Sequence, residues 1–241
     1  MKGMILAAGF GSRLAPLTDR CPKALVPVAG RPMIAHVVEA LCRAGCDELV
    51  VNAHHFAEQI EEYFLRNDAG VPVHVLRETD ILGTGGGVLN AAPLLENEDH
   101  VLVHNADIAT ESDLRLLVAA HRKAAHEGGA GGQATTLATL LVNRRATNRA
   151  LLFDAGLRFI GKEAWRAEGL IAPPDVQRLG FCGVHVISGT LFRLGIPPGF
   201  RDIFDIYRAG MAQGHTLHGH ITDAYWTDLG SVERIAEHEA R

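Results

Sequence analysis

Short apolar runs alternate with amphipathic stretches through the first half of this chain, and that alternation restricts the fold more than any other feature. Gly3 to Ala8 reads as a buried strand. Pro32 then opens a helix whose apolar positions Met33, Ile34, Val37, Val38 and Leu41 recur at three- and four-residue spacing, ending at Gly45. Next come a strand over Glu48 to Ala53, a helix around Phe56, Ile60 and Phe64, and a strand over Val73 to Arg77. A helix near Val88 to Leu95 and a strand over His100 to His104 complete a β-α-β-α-β-α-β series. Such a series predicts an α/β fold: a mostly parallel sheet with helices on both faces, wound by right-handed crossovers. A helix from Ser112 to about Ala125 closes the unit. The glycine-rich stretch Glu127 to Gln133 behind it reads as a flexible boundary between two halves of a single domain, 1–126 and 127–241. The second half predicts a strand at Thr136 to Val142, a hairpin across Leu151 to Ile160 turning at Asp154-Ala155-Gly156, and a strand at Phe181 to Ile187. A helix from Arg201 to Ala212, short strands to Trp226 and a last helix from Ser231 follow.

Composition excludes several classes of function. Hydrophobic residues make up 47% of the 241, enough for a sizeable core, and 28 acidic against 23 basic side chains give a net charge of −5. No broad positive field exists to hold DNA or RNA, so a nucleic-acid partner is not expected. No run approaches the roughly 18 apolar residues of a membrane span, and the opening run Met4 to Ala8 is too short for a signal peptide. Cys21, Cys42, Cys46 and Cys182 form no Cys-x-x-Cys pair and read as reduced thiols, so the expected location is cytoplasmic. Monomer and homo-oligomer both stay open.

The chemistry concentrates in Leu6-Ala7-Ala8-Gly9-Phe10-Gly11-Ser12-Arg13-Leu14, directly after the first strand. A glycine-rich turn there exposes successive backbone N–H groups that suit phosphate oxygens. The Walker pattern fails for want of Gly-Lys-Ser/Thr, and the dinucleotide fingerprint fails because Leu14 replaces its third glycine and Asn52 its acidic residue. A bare Gly-x-Gly is equally a plain turn. The cations Arg13 and Lys23, the latter in Cys21-Pro22-Lys23-Ala24-Leu25-Val26-Pro27, favour the phosphate reading. If the first four strands are ordered 3-2-1-4, the loops after strands one and four flank the crevice where ligands of open α/β sheets bind, and Gly9 and Asp107 meet there.

The whole stretch from Leu6 to Pro32 resembles the signature of the sugar-1-phosphate nucleotidylyltransferases. The resemblance continues through Leu82-Gly83-Thr84-Gly85-Gly86-Gly87, Asn105-Ala106-Asp107 and Tyr225-Trp226-Thr227-Asp228-Leu229-Gly230, and in proportions it is most similar to the short single-domain members. By that resemblance, the β-helical acyltransferase domain that some relatives carry is not expected after Arg241. The resemblance implies a Rossmann-like sheet, an NTP and a sugar 1-phosphate as partners, UTP slightly favoured, and Mg²⁺ held by Asp107 and Asp228. The nucleotide would lie against Leu6, Ala7, Ala8, Gly9, Gly11, Ser12 and Arg13, with the base against Thr84, Gly85 and the following glycines and read by Glu78. Arg13 is assigned to the β- and γ-phosphates, and Lys23 to the α-phosphoryl group or the sugar phosphate. A sugar 1-phosphate is already largely dianionic at pH 7, its second pKa being about 6, so no general base is required.

Two departures stand out. Ala106 replaces the glycine many members carry before the aspartate, and Phe181-Cys182-Gly183 replaces Asn-Ala-Gly, keeping Gly183 but not the asparagine associated with the sugar. Lys162 and Glu163 are candidate sugar contacts, weighed against an ordinary charged turn. His215, His218 and His220 lack a zinc spacing and read as strand residues. Mannose- or heptose-1-phosphate guanylyltransferases, phosphocholine cytidylyltransferases and catalytically silent nucleotide-sugar-binding subunits share the resemblance and stay open as alternatives.

Overall fold

Strand periodicity decides which helices cover which face of the sheet. The computed structural model describes residues 1–129 and 135–241. After β1 (Lys2–Leu6) come the short pair β2 (Pro27–Val28) and β3 (Arg31–Pro32), then α1 (Met33–Arg43), β4 (Glu48–Ala53), α2 (Ala57–Arg66) and β5 (Val73–Arg77). Next are α3 (Gly83–Asn90), α4 (Ala92–Leu95), β6 (His100–Asn105), β7 (Ile108–Thr110), α5 (Leu114–Gly129) and β8 (Thr136–Asn143). The chain continues through β9 (Leu151–Phe153), β10 (Phe159–Lys162), β11 (Gln177–Ser188), α6 (Ile203–Ala212), β12 (Thr216–Ile221), β13 (Trp226–Asp228) and α7 (Val232–Glu239).

β5, β4, β1 and β6 lie side by side, all parallel, in the expected 3-2-1-4 winding. β11 adds antiparallel to β6, β8 antiparallel to β11 and β12 parallel to β8, while the β9–β10 hairpin extends β11, giving one nine-stranded sheet. Met4, Val50, Val101 and Val103 face Val88 of α3, Leu95 of α4 and Phe204 and Tyr207 of α6. Their strand neighbours Ile5, Leu49, Val51 and Leu102 face Val37 and Leu41 of α1, Ile60 of α2 and Leu117 of α5. Each such fully buried side chain contributes roughly 1.5–3 kcal/mol. Leu6 pairs with Asn52 of β4 and Asn105 of β6, so three strands end on one rim, where open α/β sheets bind ligands.

The elements differ from expectation at their edges. α3 begins at Gly83 rather than near Val88, and Pro93, lacking an N–H, opens α4 as a separate turn. β7 and β13, three residues each, are too short to show a period. α5 runs through Glu127 to Gly129, part of the expected flexible connection, and the rest of it, 130–133, lies outside the described residues. No helix among the described residues is long and apolar enough to cross a membrane, and the four cysteines are unpaired.

The core holds His104, His121 and His185, all essentially buried. Burial pushes their pKa values down to about 4, about 3 and about 3. The unfolded chain takes up these protons near pH 6.5 while the folded one cannot, so stability is full above about pH 6.5 and falls below it. Three such groups remove about 4 kcal/mol by pH 5.5, a large part of a typical 5–15 kcal/mol total. Urea midpoints measured from pH 7.5 to 5 are therefore expected to drop steeply below 6.5, and a flat profile would show that these imidazoles are solvated.

Candidate active site

The loop after β1 is shaped by glycine and by two side chains behind it. Gly11 has φ 67°, and a Cβ there would lie 2.9 Å from both Lys23 Cβ and Thr18 Cγ2. Only glycine permits both that conformation and that approach. Ser12 to Leu14 then form one tight helical turn, Leu14 buried and Arg13 exposed. Leu14 packs with Val26, Val28, Met33, Leu229 and Ile235, so α7 braces the loop from the far end of the chain. Beside it lies a cavity of about 260 Å³, bordered by Leu6, Ala7, Ala8, Gly9, Lys23, Thr84 and Asp107.

Lys23 and Asp107 border this cavity, and Asp228 stands beside the glycine loop next to Arg13, so the three come from three parts of the sequence. Lys23 Nζ contacts Asp107 Oδ2, and both side chains are largely buried. β13 pairs antiparallel with β7, setting Asp228 opposite Ile108, and the Leu229 N–H donates to the Asp107 carbonyl at 2.7 Å. Two aspartates separated by more than a hundred residues thus become backbone neighbours at the end of one short ladder. Arg234 of α7 contacts Asp228 Oδ2, Arg13 Nη2 stands 3.9 Å from Oδ1, and Oδ1 is buried with no hydrogen-bond donor. Gly230 makes the room, since a Cβ there would lie 2.5 Å from Arg13 Nη2 and 2.9 Å from Asp228 Oδ1.

At the base end the structure corrects two expectations. Glu78 does not border the cavity: it is buried beneath it, Oε1 accepting from Asn52 Nδ2 at 2.7 Å and Oε2 from the Leu82 N–H at 3.1 Å. With both oxygens occupied by the protein, Glu78 orients Asn52, whose Oδ1 accepts from the Ala7 N–H at 2.9 Å. Asn52, at the cavity wall, entered the sequence reading only as the residue in place of the fingerprint's acid, and a polar side chain near the end of an apolar strand was its one signal as a site residue. Gly85 and the glycines after it do not chiefly make space for a ring. A Cβ on Gly85 would lie 2.7 Å from Asp202 O, on Gly86 2.4 Å from Gly199 O, and on Gly87 2.5 Å from Asn52 Nδ2. They admit the segment before α6 and the Asn52 side chain. Thr84 Oγ1 accepts from the Ile203 N–H at 2.9 Å, tying α3 to the start of α6.

This arrangement fixes the outcome of Glu78→Gln. A glutamine amide would turn a donor toward either Asn52 Nδ2 or the Leu82 N–H, and Asn52 cannot flip without losing Ala7. The unsatisfied pair is expected to lower stability by ~1–3 kcal/mol and to raise the KM for every NTP alike. Thermal melts and KM values for four NTPs check this, and a change confined to one base would restore a base-reading role.

On the acceptor side, Gly183 has φ 75° at a β11 irregularity, and a Cβ there would lie 2.8 Å from Ile108 and 3.0 Å from Asn105 Nδ2. Glu163 is engaged elsewhere, paired with Arg178 at 2.6 Å and Arg166 at 3.4 Å, which suits the charged-turn reading. Lys162 Nζ lies 4.9 Å from the centroid of the Phe204 ring. Neither borders the cavity. Among the described residues no cluster of three or more His, Cys, Asp or Glu could enclose a metal ion, and His215, His218 and His220 belong to no such cluster.

The family model for nucleotidyl transferases matches residues 2–139, the span that carries β1, Lys23 and Asp107. The chain belongs to the nucleotidyl transferase family. It is similar to N-acetylmuramate alpha-1-phosphate uridylyltransferase of Caulobacter vibrioides, 30% identical over 246 aligned positions covering 99% of this chain and 95% of that one. It is also 38% identical over 144 positions to mannose-1-phosphate guanyltransferase of Pichia angusta, a match covering 58% of this chain and 37% of the other. The chain thus spans little more than a third of that guanyltransferase but nearly all of the uridylyltransferase. The fold is shared with UDP-glucose pyrophosphorylase of Acinetobacter baumanii, TM-score 0.78 at 21% identity, covering 98% of this chain and 90% of that one. As a nucleotidyl transferase, the chain places the glycine loop of its matched half beside Asp228, which Arg234 contacts in turn, both lying beyond that half.

Proposed function

We propose that the protein transfers the nucleoside monophosphate of an NTP to a sugar 1-phosphate, giving a nucleoside diphosphate sugar and pyrophosphate. The observation that carries this reading is the meeting of Lys23, Asp107 and Asp228 beside the glycine loop at the carboxyl rim of β1 and β6. The acceptor phosphate is its own nucleophile, so positioning and charge neutralisation are what the protein must supply. Arg13 holds the β- and γ-phosphates, Lys23 holds the α-phosphoryl oxygen where charge develops, and the N–H groups of Ala8 to Ser12 cradle the chain of phosphates.

The two carboxylates suit Mg²⁺. Asp228 Oδ1 is buried with no donor, and a site of two protein carboxylates leaves the remaining positions to substrate phosphates, as Mg²⁺ prefers. When bound, Mg²⁺ would neutralise phosphate charge; the role of Asp107 and Asp228 is to hold it there.

UTP is the proposed nucleotide. Similarity to a uridylyltransferase along nearly the whole of both chains supports it, whereas the guanyltransferase match covers 58% of this chain. The protein is proposed to work in the cytoplasm, on small molecules rather than nucleic acid. Pyrophosphate release measured for all four NTPs against a panel of sugar 1-phosphates tests both parts. Release with UTP at the highest kcat/KM is expected; a GTP optimum would move the reading to the guanylyltransferases, and no release with any pair would overturn it.

A further inference from the structure

A half-buried arginine without a carboxylate partner sits on the same rim as Asp228. Arg145 follows β8, whose last residue Asn143 pairs with Gly180 of β11. Because β8 and β6 both run antiparallel to β11, the end of β8 lies on the rim where β1 and β6 end. There the guanidinium stacks on Trp226, Cζ 3.8 Å from the ring centroid. Trp226 and Asp228 are two apart in β13 and so project from the same face of that strand.

The seat is built from neutral groups. Arg145 Nη1 donates to Asn143 Oδ1 at 2.8 Å and Nη2 to Phe181 O at 2.6 Å, while Trp226 Nε1 donates to Cys182 O at 2.6 Å. A Cβ at Gly180 would lie 2.8 Å from Arg145 Cζ, so the guanidinium fits only because residue 180 has no side chain. Neighbouring Arg144 is paired with Asp223 and Arg234 with Asp228, but among the described residues no carboxylate pairs with Arg145. Burial holds its pKa below the ordinary arginine value, and Arg234 nearby adds to that. A partly desolvated charge that lacks a counterion inside the protein is stabilised by an anion from outside it. Five N–H donors, of which two make short bonds, leave donors for such an anion, and the stack already fixes their direction. The guanidinium also reaches Phe181-Cys182, the segment that lacks the asparagine associated with the sugar.

We propose that Arg145 binds the acceptor through an anionic oxygen of the sugar 1-phosphate, an inference that rests on the function proposed above. The anion is either the 1-phosphate common to all acceptors or a carboxylate on the sugar. Steady-state kinetics with a neutral sugar 1-phosphate and with one carrying a carboxylate separate the two. Arg145→Met is expected to raise the acceptor KM at least about tenfold, the scale of a hydrogen bond to a charged group. The KM for UTP is expected to stay within about twofold. Arg145→Lys, keeping the charge, recovers part of the loss, and Gly180→Ala, which crowds the seat, raises the acceptor KM in the same direction. An equal rise for both acceptors identifies the 1-phosphate; a rise only for the carboxylated acceptor identifies the sugar carboxylate. An active wild type with an unchanged acceptor KM in Arg145→Met overturns this inference alone, as does a joint shift of both KM values and kcat, the mark of a structural role. A wild type that turns over no acceptor overturns the proposed function instead.

Discussion

Asp107→Asn and Asp228→Asn are each expected to lower turnover by at least ~100-fold, the loss typical when one preorganised electrostatic contact is removed. Asp228 lies on the β7–β13 ladder and Asp107 immediately precedes it, Asp107 engaged by Lys23 and Asp228 Oδ1 with no donor within the protein, so the two carboxylates occupy different positions and neither replaces the other. Asparagine preserves shape but offers no charge to a divalent ion. The fold is expected to survive, because Asp107 and Asp228 lie at the rim rather than among the buried clusters. Turnover measured over a range of Mg²⁺ concentrations, with EDTA as the zero point, checks this. Undiminished activity in EDTA, or full activity of either variant, would remove the carboxylates from the reaction.

Lys23→Met is expected to lower kcat by ~10²–10³ while raising the KM for NTP only slightly, since its ammonium counts most where charge develops on the α-phosphoryl oxygens. Its place is determined twice, by contact with Asp107 and by the close packing of its stem against Gly11. Methionine keeps the stem, so Gly11 stays seated, but leaves Asp107 without its cation. A variant altered only in nucleotide affinity would make Lys23 a binding residue and reassign the roles of Lys23 and Arg13.

Half of this site was readable in the sequence because it is local there. Leu6 to Gly9 and Asp107 lie at the ends of apolar strands, Lys23 is a cation in the same stretch as the glycine loop, and the 3-2-1-4 order brings those strand ends together. Asp228 could be placed only by resemblance, since a three-residue ladder has no period and its register with β7 is a tertiary fact. Glu78 was misplaced because a carboxylate at a strand end looks alike whether it faces a ligand or an asparagine. The glycines of α3 were visible, but what approaches them, the segment before α6, comes from more than a hundred residues away. Arg234 and Arg145 gave no signal at all: one is an ordinary helical arginine, and the other depends on a ring and a missing side chain on neighbouring strands.

The most direct test follows the α-phosphorus itself. The protein is given UTP labelled at that atom, Mg²⁺ and a panel of sugar 1-phosphates, and the labelled products are separated over time. The predicted result is label appearing in a nucleoside diphosphate sugar at the rate at which pyrophosphate is released. Label recovered as free UMP, or left in UTP with every acceptor, would contradict nucleotidyl transfer to a sugar phosphate.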